Sequence, residues 1–486
     1  MILLLTTDGT IADAQVIKEV ILEKKATLVS FQFITVPENG FLDKNEFLNW
    51  HYRNGVDLSN IDRNFQLRDI ILLKNADTSQ KSNFIFLYLW NWPESTYNID
   101  KVRIPHPPKY DKRNNPLGKN PGNIWAFSNN LDNGKEIKEK QKIDFKNHEK
   151  ICHKQVDVDA LKRLIRCHTL DQDEVLYICE AKDRKIIVQV IKDLGRNERL
   201  IQTSSADTPK KYTVLTTEYP IAENQEVQPH GLSQSDPKAS YYFTDSRYGI
   251  ANLISDSIDD VVTSPPYNID YDPFNVPKPD PKTGKLVKPN KKGYKDNLPV
   301  GQYHSLLKTV MCELDRKLNP SSSDVFFNLK NNYSNGFCLP AFWILSLIPD
   351  GWQFTDLLIW RYDISYDPAR NKYKPYYEWV FRFSKGKPYF KPKHTFLKDF
   401  YLPILKGNSK EREGLKHPAI YPRKLVEICL NESNHSGLVV DPFLGSGSTL
   451  IAAFELNRPS IGFEINKEYK EDIEKQFAKI NQINNS

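Results

Sequence analysis

At 486 residues the chain is too long for one hydrophobic core, and a typical ~150 residues per domain gives about three units. Hydrophobic residues make up 39%, aromatic residues 12% and charged residues 26%, which excludes a disordered chain. The 67 Lys and Arg against 61 Asp and Glu give a formal net charge of +6, which permits nucleic acid as a partner without requiring it.

No apolar run approaches the ~20 residues that span a bilayer. The N-terminal MILLLTTDGT has no basic segment and too short an apolar core for a signal peptide. A cytoplasmic protein without a membrane partner is expected. Six cysteines (Cys152, Cys167, Cys179, Cys312, Cys338, Cys429) show neither CxxC pairs nor regular spacing, so reduced thiols are expected and no metal site.

In chain order, Pro105 to Gly122 reads as a loop dense in Pro, Asn, Gly and basic residues. Residues 203–238 are polar and read as a linker between an N-terminal unit, 1–202, and a C-terminal unit, 239–486. Asp260 to Thr263 is a short apolar strand ending at two prolines. Tyr271 to Asn297 carries several prolines and lysines at 278, 282, 285, 288, 291, 292 and 295, which make it a basic flap. Tyr303 to Leu318 has helical periodicity, and Val325 to Leu329 follows as a buried strand. Phe354–Trp360 and Trp379–Phe383 read as strands, Lys424–Asn431 as a helix and Gly437–Val440 as a strand. Thr449–Leu456 reads as a helix and Ser460–Glu464 as a strand. The alternation predicts an α/β fold, a largely parallel sheet with helices on both faces.

Two motifs carry chemistry. In Val439-Val440-Asp441-Pro442-Phe443-Leu444-Gly445-Ser446-Gly447-Ser448-Thr449 an apolar strand enters a glycine-rich turn and then a helix. Glycines let the backbone approach a ligand, and helix-start N–H groups face it. Some nineteen residues beyond Gly445, the next strand ends in Glu464, the position that usually holds a ribose diol. In Thr263-Ser264-Pro265-Pro266-Tyr267-Asn268, two prolines fix the backbone and remove two donors. A rigid row of acceptors remains, the Ser264 hydroxyl among them, beside the aromatic face of Tyr267. That arrangement suits an exocyclic amino group.

Together, DPFLGSGST, the downstream GFEIN and TSPPYN resemble the amino-methylating, S-adenosylmethionine-dependent DNA methyltransferases of restriction-modification systems. The order, catalytic motif before cofactor motif, resembles their permuted beta group. KHPAIYP (416–422) and YFTDS (242–246) resemble further segments of that family, and the likeness covers about Ala239 to Tyr469. It implies a doubly wound Rossmann-like methyltransferase sheet. It also implies that Pro442, Phe443, Gly445, Gly447, Ser448, Thr449 and His417 surround the cofactor, with Glu464 on the ribose and Asp245 near the adenine. Asp441 more naturally braces the glycine turn or the cofactor's amino group than performs chemistry. Ser264, Pro265, Pro266 and Tyr267 would hold a base flipped out of duplex DNA, with direct in-line transfer and no covalent intermediate. A serine before PPY resembles the cytosine-N4 enzymes and an aspartate the adenine-N6 enzymes, so cytosine N4 is expected and adenine N6 is the alternative. A cognate restriction endonuclease is implied by family habit.

DNA contacts are expected from the flap (Lys278, Lys285, Lys288), from the aromatic-interleaved stretch Trp360 to Tyr377 (Arg361, Arg370, Lys372) and from the first loop (Lys119). The front half contains an echo of the back. Shifted by 264 positions, His153 falls on His417, Leu161 on Leu425 and Val175 on Val439. Residues 1–202 therefore read as a degenerate methyltransferase-like α/β domain used in DNA recognition. Tyr177 stands where Asp441 stands and Glu180-Ala181-Lys182-Asp183 replaces the glycine turn, so this half should be inactive and the chain a monomer. The rival readings are an unrelated domain, or a nuclease using Glu180-Ala181-Lys182 on an apolar strand. For the whole chain, protein-glutamine methylation is opposed by the serine before PPY and by the motif order. A binding-only role is opposed by the intact motifs.

Overall fold

The computed structural model describes residues 2–6, 20–24, 27–33, 66–74, 84–92, 124–125, 158–169, 173–179, 181–200, 229–231, 239–268, 278–279, 286–287, 298–334, 337–339, 341–362, 375–391, 397–405, 409–417 and 419–484. They form two mixed sheets flanked by helices.

The first sheet holds β1 (Ile2–Thr6), β2 (Thr27–Phe33), β3 (Gln66–Lys74), β4 (Phe84–Asn91), β5 (Ile124–Trp125), β6 (Glu174–Cys179) and β7 (Asn197–Leu200), in the order β5-β3-β4-β2-β1-β6-β7. Helix α1 (Val158–His168) precedes β6, and α2 (Ala181–Asp193) joins β6 to β7. The nuclease-like reading placed Lys182 on the strand. The strand ends at Cys179 and Lys182 lies in the first turn of α2, so the residue does not occupy the strand position that reading requires.

The second sheet holds β8 (Pro229–Gly231), β9 (Ala239–Phe243), β10 (Ile258–Thr263), β13 (Ser322–Leu329), β16 (Trp352–Arg361), β17 (Tyr377–Gly386), β18 (Lys398–Tyr401), β19 (Leu438–Asp441) and β20 (Ser460–Glu464). Their order is β18-β16-β17-β13-β10-β19-β20-β9-β8. Two small hairpins, β11 (Lys278–Pro279) with β12 (Leu286–Val287) and β14 (Asn332–Ser334) with β15 (Phe337–Leu339), lie outside it. The helices are α3 (Ser246–Ala251), α4 (Val300–Lys317), α5 (Arg423–Ser433), α6 (Ser448–Glu455) and α7 (Lys470–Asn484). The expected elements are present with small changes of boundary. The sheet is less parallel than expected, because β17 runs against both β13 and β16, and β8 against β9. The last part of the expected linker also contributes structure, since Pro229–Gly231 pairs with β9 as an edge strand.

The central strands β10 and β13 are buried along nearly their whole length, as strands covered on both faces must be. Helix α4 lays Tyr303, Leu307, Val310, Met311 and Leu314 against one face, a spacing of one helical stripe. On the other face α5 contributes Leu425, Val426 and Cys429, and α6 Ala452 and Ala453, to a core with Val262 and Val439. The cysteines with described side chains (Cys167, Cys312, Cys338, Cys429) are free thiols. No helix among the described residues is long and apolar enough to cross a membrane.

Buried charge ties the sheet together beneath its functional end. Arg382 on β17 forks onto Asp324 of the neighbouring β13 at 3.0 and 2.8 Å, with Ser384 donating to the same carboxylate. Asp260 on β10 receives Arg458 at 2.6 Å and His435 at 3.1 Å. Removing one member of such a pair leaves an uncompensated buried ion. Arg382→Leu is therefore expected to destabilise the domain by about 3–5 kcal/mol, read as a lower denaturation midpoint of the full chain.

Candidate functional site

The carboxyl ends of β10, β19 and β20 open into a cavity of about 340 Å³. Its wall is built from Thr244 to Arg247 after β9, Ser264 to Tyr267 after β10, His417 and Ala419 to Tyr421 before α5, Pro442 to Ser446 and Ser448 after β19, and Phe463 to Asn466 after β20. The two sequence motifs, some 180 residues apart, thus face one space. This is where an α/β sheet generally places its ligand.

The glycine turn follows from local sterics. Gly445 has φ +55° and Gly447 φ +93°, conformations that suit residues without a Cβ, and a methyl group on Gly445 would come within 3.0 Å of His417 Nε2. Gly447 is the N-cap of α6. Beneath the turn, the fully buried Asp441 accepts from Thr263 Oγ1 at 2.6 Å, Thr449 Oγ1 at 2.6 Å, Tyr421 Oη at 3.1 Å and Phe443 N–H at 3.0 Å. Burial raises its pKa, and these donors pull the other way. Asp441, Gly447 and Thr449 therefore lie behind the cavity wall and shape it, whereas Pro442, Phe443, Gly445 and Ser448 line it.

Glu464 closes the floor. Its oxygens accept the N–H of Gly445 at 2.8 Å and of Asn466 at 2.7 Å, and burial pushes its pKa up to about 7. His417 stacks edge-on against Tyr469, and burial, aided by nearby Arg412, lowers its pKa to about 4, so it is neutral. Asp245 lines the cavity but is engaged already: it caps α3 through the Arg247 N–H and pairs with the Arg247 side chain at 2.6 Å.

At the other end, Ser264 Oγ lies 2.7 Å from Tyr267 Oη, which lies 2.9 Å from Glu378 Oε2. Asn328 Nδ2 donates to Tyr267 Oη at 2.8 Å and to Glu378 at 2.9 Å. Burial, with the Glu378 carboxylate beside it, raises the Tyr267 pKa well above its usual value, so the phenol keeps its proton. With Glu378 as acceptor, that single proton points to Glu378, and Ser264 must donate to the phenol oxygen. Asn328 Nδ2 reaches Ser264 Oγ only at 3.5 Å, which leaves the hydroxyl a lone pair for the cavity that it lines. Tyr303 donates to the Pro266 carbonyl at 2.5 Å, and Asn268, at φ +54°, fastens the end of the motif to the Leu298 carbonyl at 2.8 Å.

Glu378, Asn328, Tyr303, Tyr421 and Tyr469 were not singled out from the sequence. Only Tyr421 lay within a quoted motif; the others come from strands and helices whose pairing brings them to the site. The expected DNA contacts fare unevenly. Lys119, Lys285, Lys288, Arg370 and Lys372 lie outside the described residues, and Lys278 begins the β11–β12 hairpin. Arg361 is ion-paired with Asp399 at 2.5 Å. Trp360, Tyr362 and Tyr377, from the stretch expected to contact DNA, are buried, with the Trp360 indole donating to the Leu402 carbonyl, so they belong to the core.

Residues 258–475 match the family model N6_N4_Mtase, DNA methylase. Among characterised relatives, the orphan methyltransferase M.BamHII of Bacillus amyloliquefaciens is 33% identical over 159 residues, covering 24% of this chain and 60% of that protein. The Type II methyltransferase M.SmaI of Serratia marcescens is 31% identical over 132 residues, covering 25% of this chain and 44% of that protein. The chain thus spans about half the length of these relatives. A solved structure of the PvuII DNA methyltransferase (cytosine-N4-specific) aligns with a TM-score of 0.38 at 22% identity, covering 51% of this chain and 91% of that one. The stretch 258–475 is thus similar to the N6/N4-type DNA methylases.

Because one carboxylate holds four donors from three segments, Asp441→Ala should loosen the turn as well as the core. The expected loss is about 3 kcal/mol of stability, with cofactor binding weakened in parallel, measured by thermal unfolding and calorimetry on the same preparation.

Proposed function

We propose that the protein is a DNA methyltransferase that transfers a methyl group from S-adenosylmethionine to the exocyclic N4 of cytosine in duplex DNA. The observation that carries this reading is the convergence of the Ser264–Tyr267 motif and the Gly445–Glu464 pair on one cavity. Its residues fit the cofactor. Glu464 offers a carboxylate to a ribose diol, the backbone of Phe443 to Ser446 offers close approach, and Ile465 and Phe463 offer apolar surface. When bound, the cofactor supplies an electrophilic methyl group on a positively charged sulfur.

The chain's own residues position and activate the acceptor nitrogen. A base enters only when flipped from the duplex, at a few kcal/mol of unstacking. Its amino lone pair is delocalised into the ring. Acceptors that hold the amino hydrogens out of the ring plane favour the pyramidal, nucleophilic nitrogen. Ser264 Oγ is one such acceptor, its own proton directed away by Tyr267 and Glu378. The Pro266 carbonyl is taken by Tyr303, which leaves that of Pro265 as the second. Tyr267 presents its ring to the base. Positioning and electrostatics supply the acceleration, and no cysteine stands beside the motif for a covalent route. The serine supports cytosine N4; adenine N6 is the alternative outcome. Lys278, Lys285, Lys288, Arg370, Lys372 and Lys119 are the proposed phosphate contacts, with duplex DNA as partner and a companion restriction endonuclease belonging to the same reading.

Incubating the protein with cofactor and unmethylated duplex, then analysing nucleosides by mass spectrometry, should yield N4-methylcytosine. N6-methyladenine would replace the base assignment, and no methylated nucleoside would overturn the function. Ser264→Ala should reduce kcat by about 100-fold or more while leaving cofactor binding intact, and Glu378→Gln by about 10-fold.

Cofactor affinity should depend on pH through Glu464. Ribose hydroxyls donate to the ionised carboxylate, whose pKa before binding is about 7. Binding should therefore be strongest above pH 7 and weaken by up to about tenfold per unit below it. Calorimetry compared with Glu464→Gln, which lacks this titration, separates the effect from the cofactor's own ionisation.

A further inference from the structure

The two sheets have the same plan. In the first, β5-β3-β4-β2-β1-β6-β7 pair as parallel, antiparallel, antiparallel, parallel, parallel, parallel. In the second, β18-β16-β17-β13-β10-β19-β20 repeat that order and those senses pair by pair. A bulge falls at the same place in both, between Leu67 and Asp69 on β3 and between Phe354 and Asp356 on β16. In each, the buried aspartate accepts the N–H of the next residue, Ile70 at 2.9 Å and Leu357 at 2.8 Å. A chance resemblance of α/β units does not require a shared bulge with a shared side-chain device.

The bulge fixes the register of equivalence. Leu67 corresponds to Phe354, Phe86 to Trp379, Tyr88 to Phe381 and Trp90 to Phe383. All eight lie in one core that spans both halves, while the opposite faces of the same strands build two separate cores. The halves therefore meet through equivalent faces. Phe86 packs against its own counterpart Trp379, ring centroids 5.7 Å apart, and Tyr377 donates across the junction to the Ile70 carbonyl at 2.8 Å. Contact between a residue and its own equivalent is the mark of an isologous, two-fold interface.

The cofactor end has not been kept. Tyr177, at the position of Asp441, is buried and donates to Glu198 at 2.8 Å. Only residues 178–180 separate it from α2, where residues 442–447 separate Asp441 from α6. No counterpart of β8 and β9 occurs in the first sheet among the described residues.

We propose that the chain is a fused pseudo-dimer: the N-terminal half is a methyltransferase-like pseudo-subunit that occupies, within the same chain, the face through which a second copy would dock, and it has lost its own cofactor site. One chain is then a monomer with one cofactor site. This rests on the methyltransferase reading for the identity of the ligand, but not for the duplication.

Native mass spectrometry of the full chain with S-adenosylhomocysteine tests both counts together. The expected species is a single chain carrying one ligand across a wide range of protein concentration. Glu464→Gln should lower that occupancy by about tenfold or more, with no residual tight site. A second ligand on one chain, or a dimer in any ligation state, overturns the proposal. No ligand at all overturns the single-site claim, and the nucleoside assay on the same preparation then tells whether the methyltransferase reading has fallen with it.

Discussion

The site depends on one buried carboxylate. Asp441 ends the strand beside β10, and its two oxygens gather the last residue of that strand, the first turn of α6, the hydroxyl of Tyr421 and the backbone of the glycine turn. A carboxylate this deep is tolerable only with its lone pairs filled, so the requirement for donors becomes a geometric constraint. The constraint couples the two motifs. Thr263 immediately precedes Ser264, and Phe443 begins the turn that lines the cavity. A shift in either strand costs hydrogen bonds at the same atom pair. Glu464 adds a second tie, from the next strand into the same turn through Gly445.

The Ser264 end of the cavity obeys a different logic. There the network is a chain of hydroxyls ended by a carboxylate, and direction matters more than anchorage. Tyr267 has one proton to give. Glu378 takes it, Asn328 supplies two further N–H groups to the same pair, and the Ser264 hydroxyl is left no acceptor but the phenol. A serine alone could either donate or accept. Set in this network it becomes an acceptor toward the cavity, the polarity that an amino group needs.

Much of this was legible in the sequence, and the missing part has a physical reason. Motifs built from consecutive residues, SPPY and DPFLGSG, declare themselves because proline and glycine constrain the backbone where they stand. Glu378, Asn328 and Tyr303 do not, since each reaches the site through the pairing of distant strands or the packing of α4, and nothing adjacent to them marks the encounter. Aromatic and basic interleaving misled for a similar reason. In Trp360 to Tyr377 the alternation is partly that of a strand with both faces covered, so Trp360 and Tyr362 serve the core. Of the echo proposed for the front half, only the spacing of helix and strand was readable. Its strand order, which requires knowing which strands pair, was not.

The contrast between Tyr177 and Asp441 shows how similar strand plans end in a glycine turn over a cavity in one half and in a short connection in the other. The shared face between the halves is apolar and presses Phe86 on Trp379, so strand order, bulge and register are held by packing. The carboxyl ends of the strands carry no such load. Where the connection after β6 is short, Cys179, the counterpart of Phe443, still belongs to the strand, and Leu5 stands at the register position of Thr263. An aspartate there would be a buried ion without its donors. A tyrosine fills the volume, keeps its proton because burial and Glu198 raise its pKa, and needs only one acceptor, which Glu198 on the adjoining strand provides. The same chemistry that makes Asp441 indispensable where its donors are present makes a carboxylate untenable where they are not.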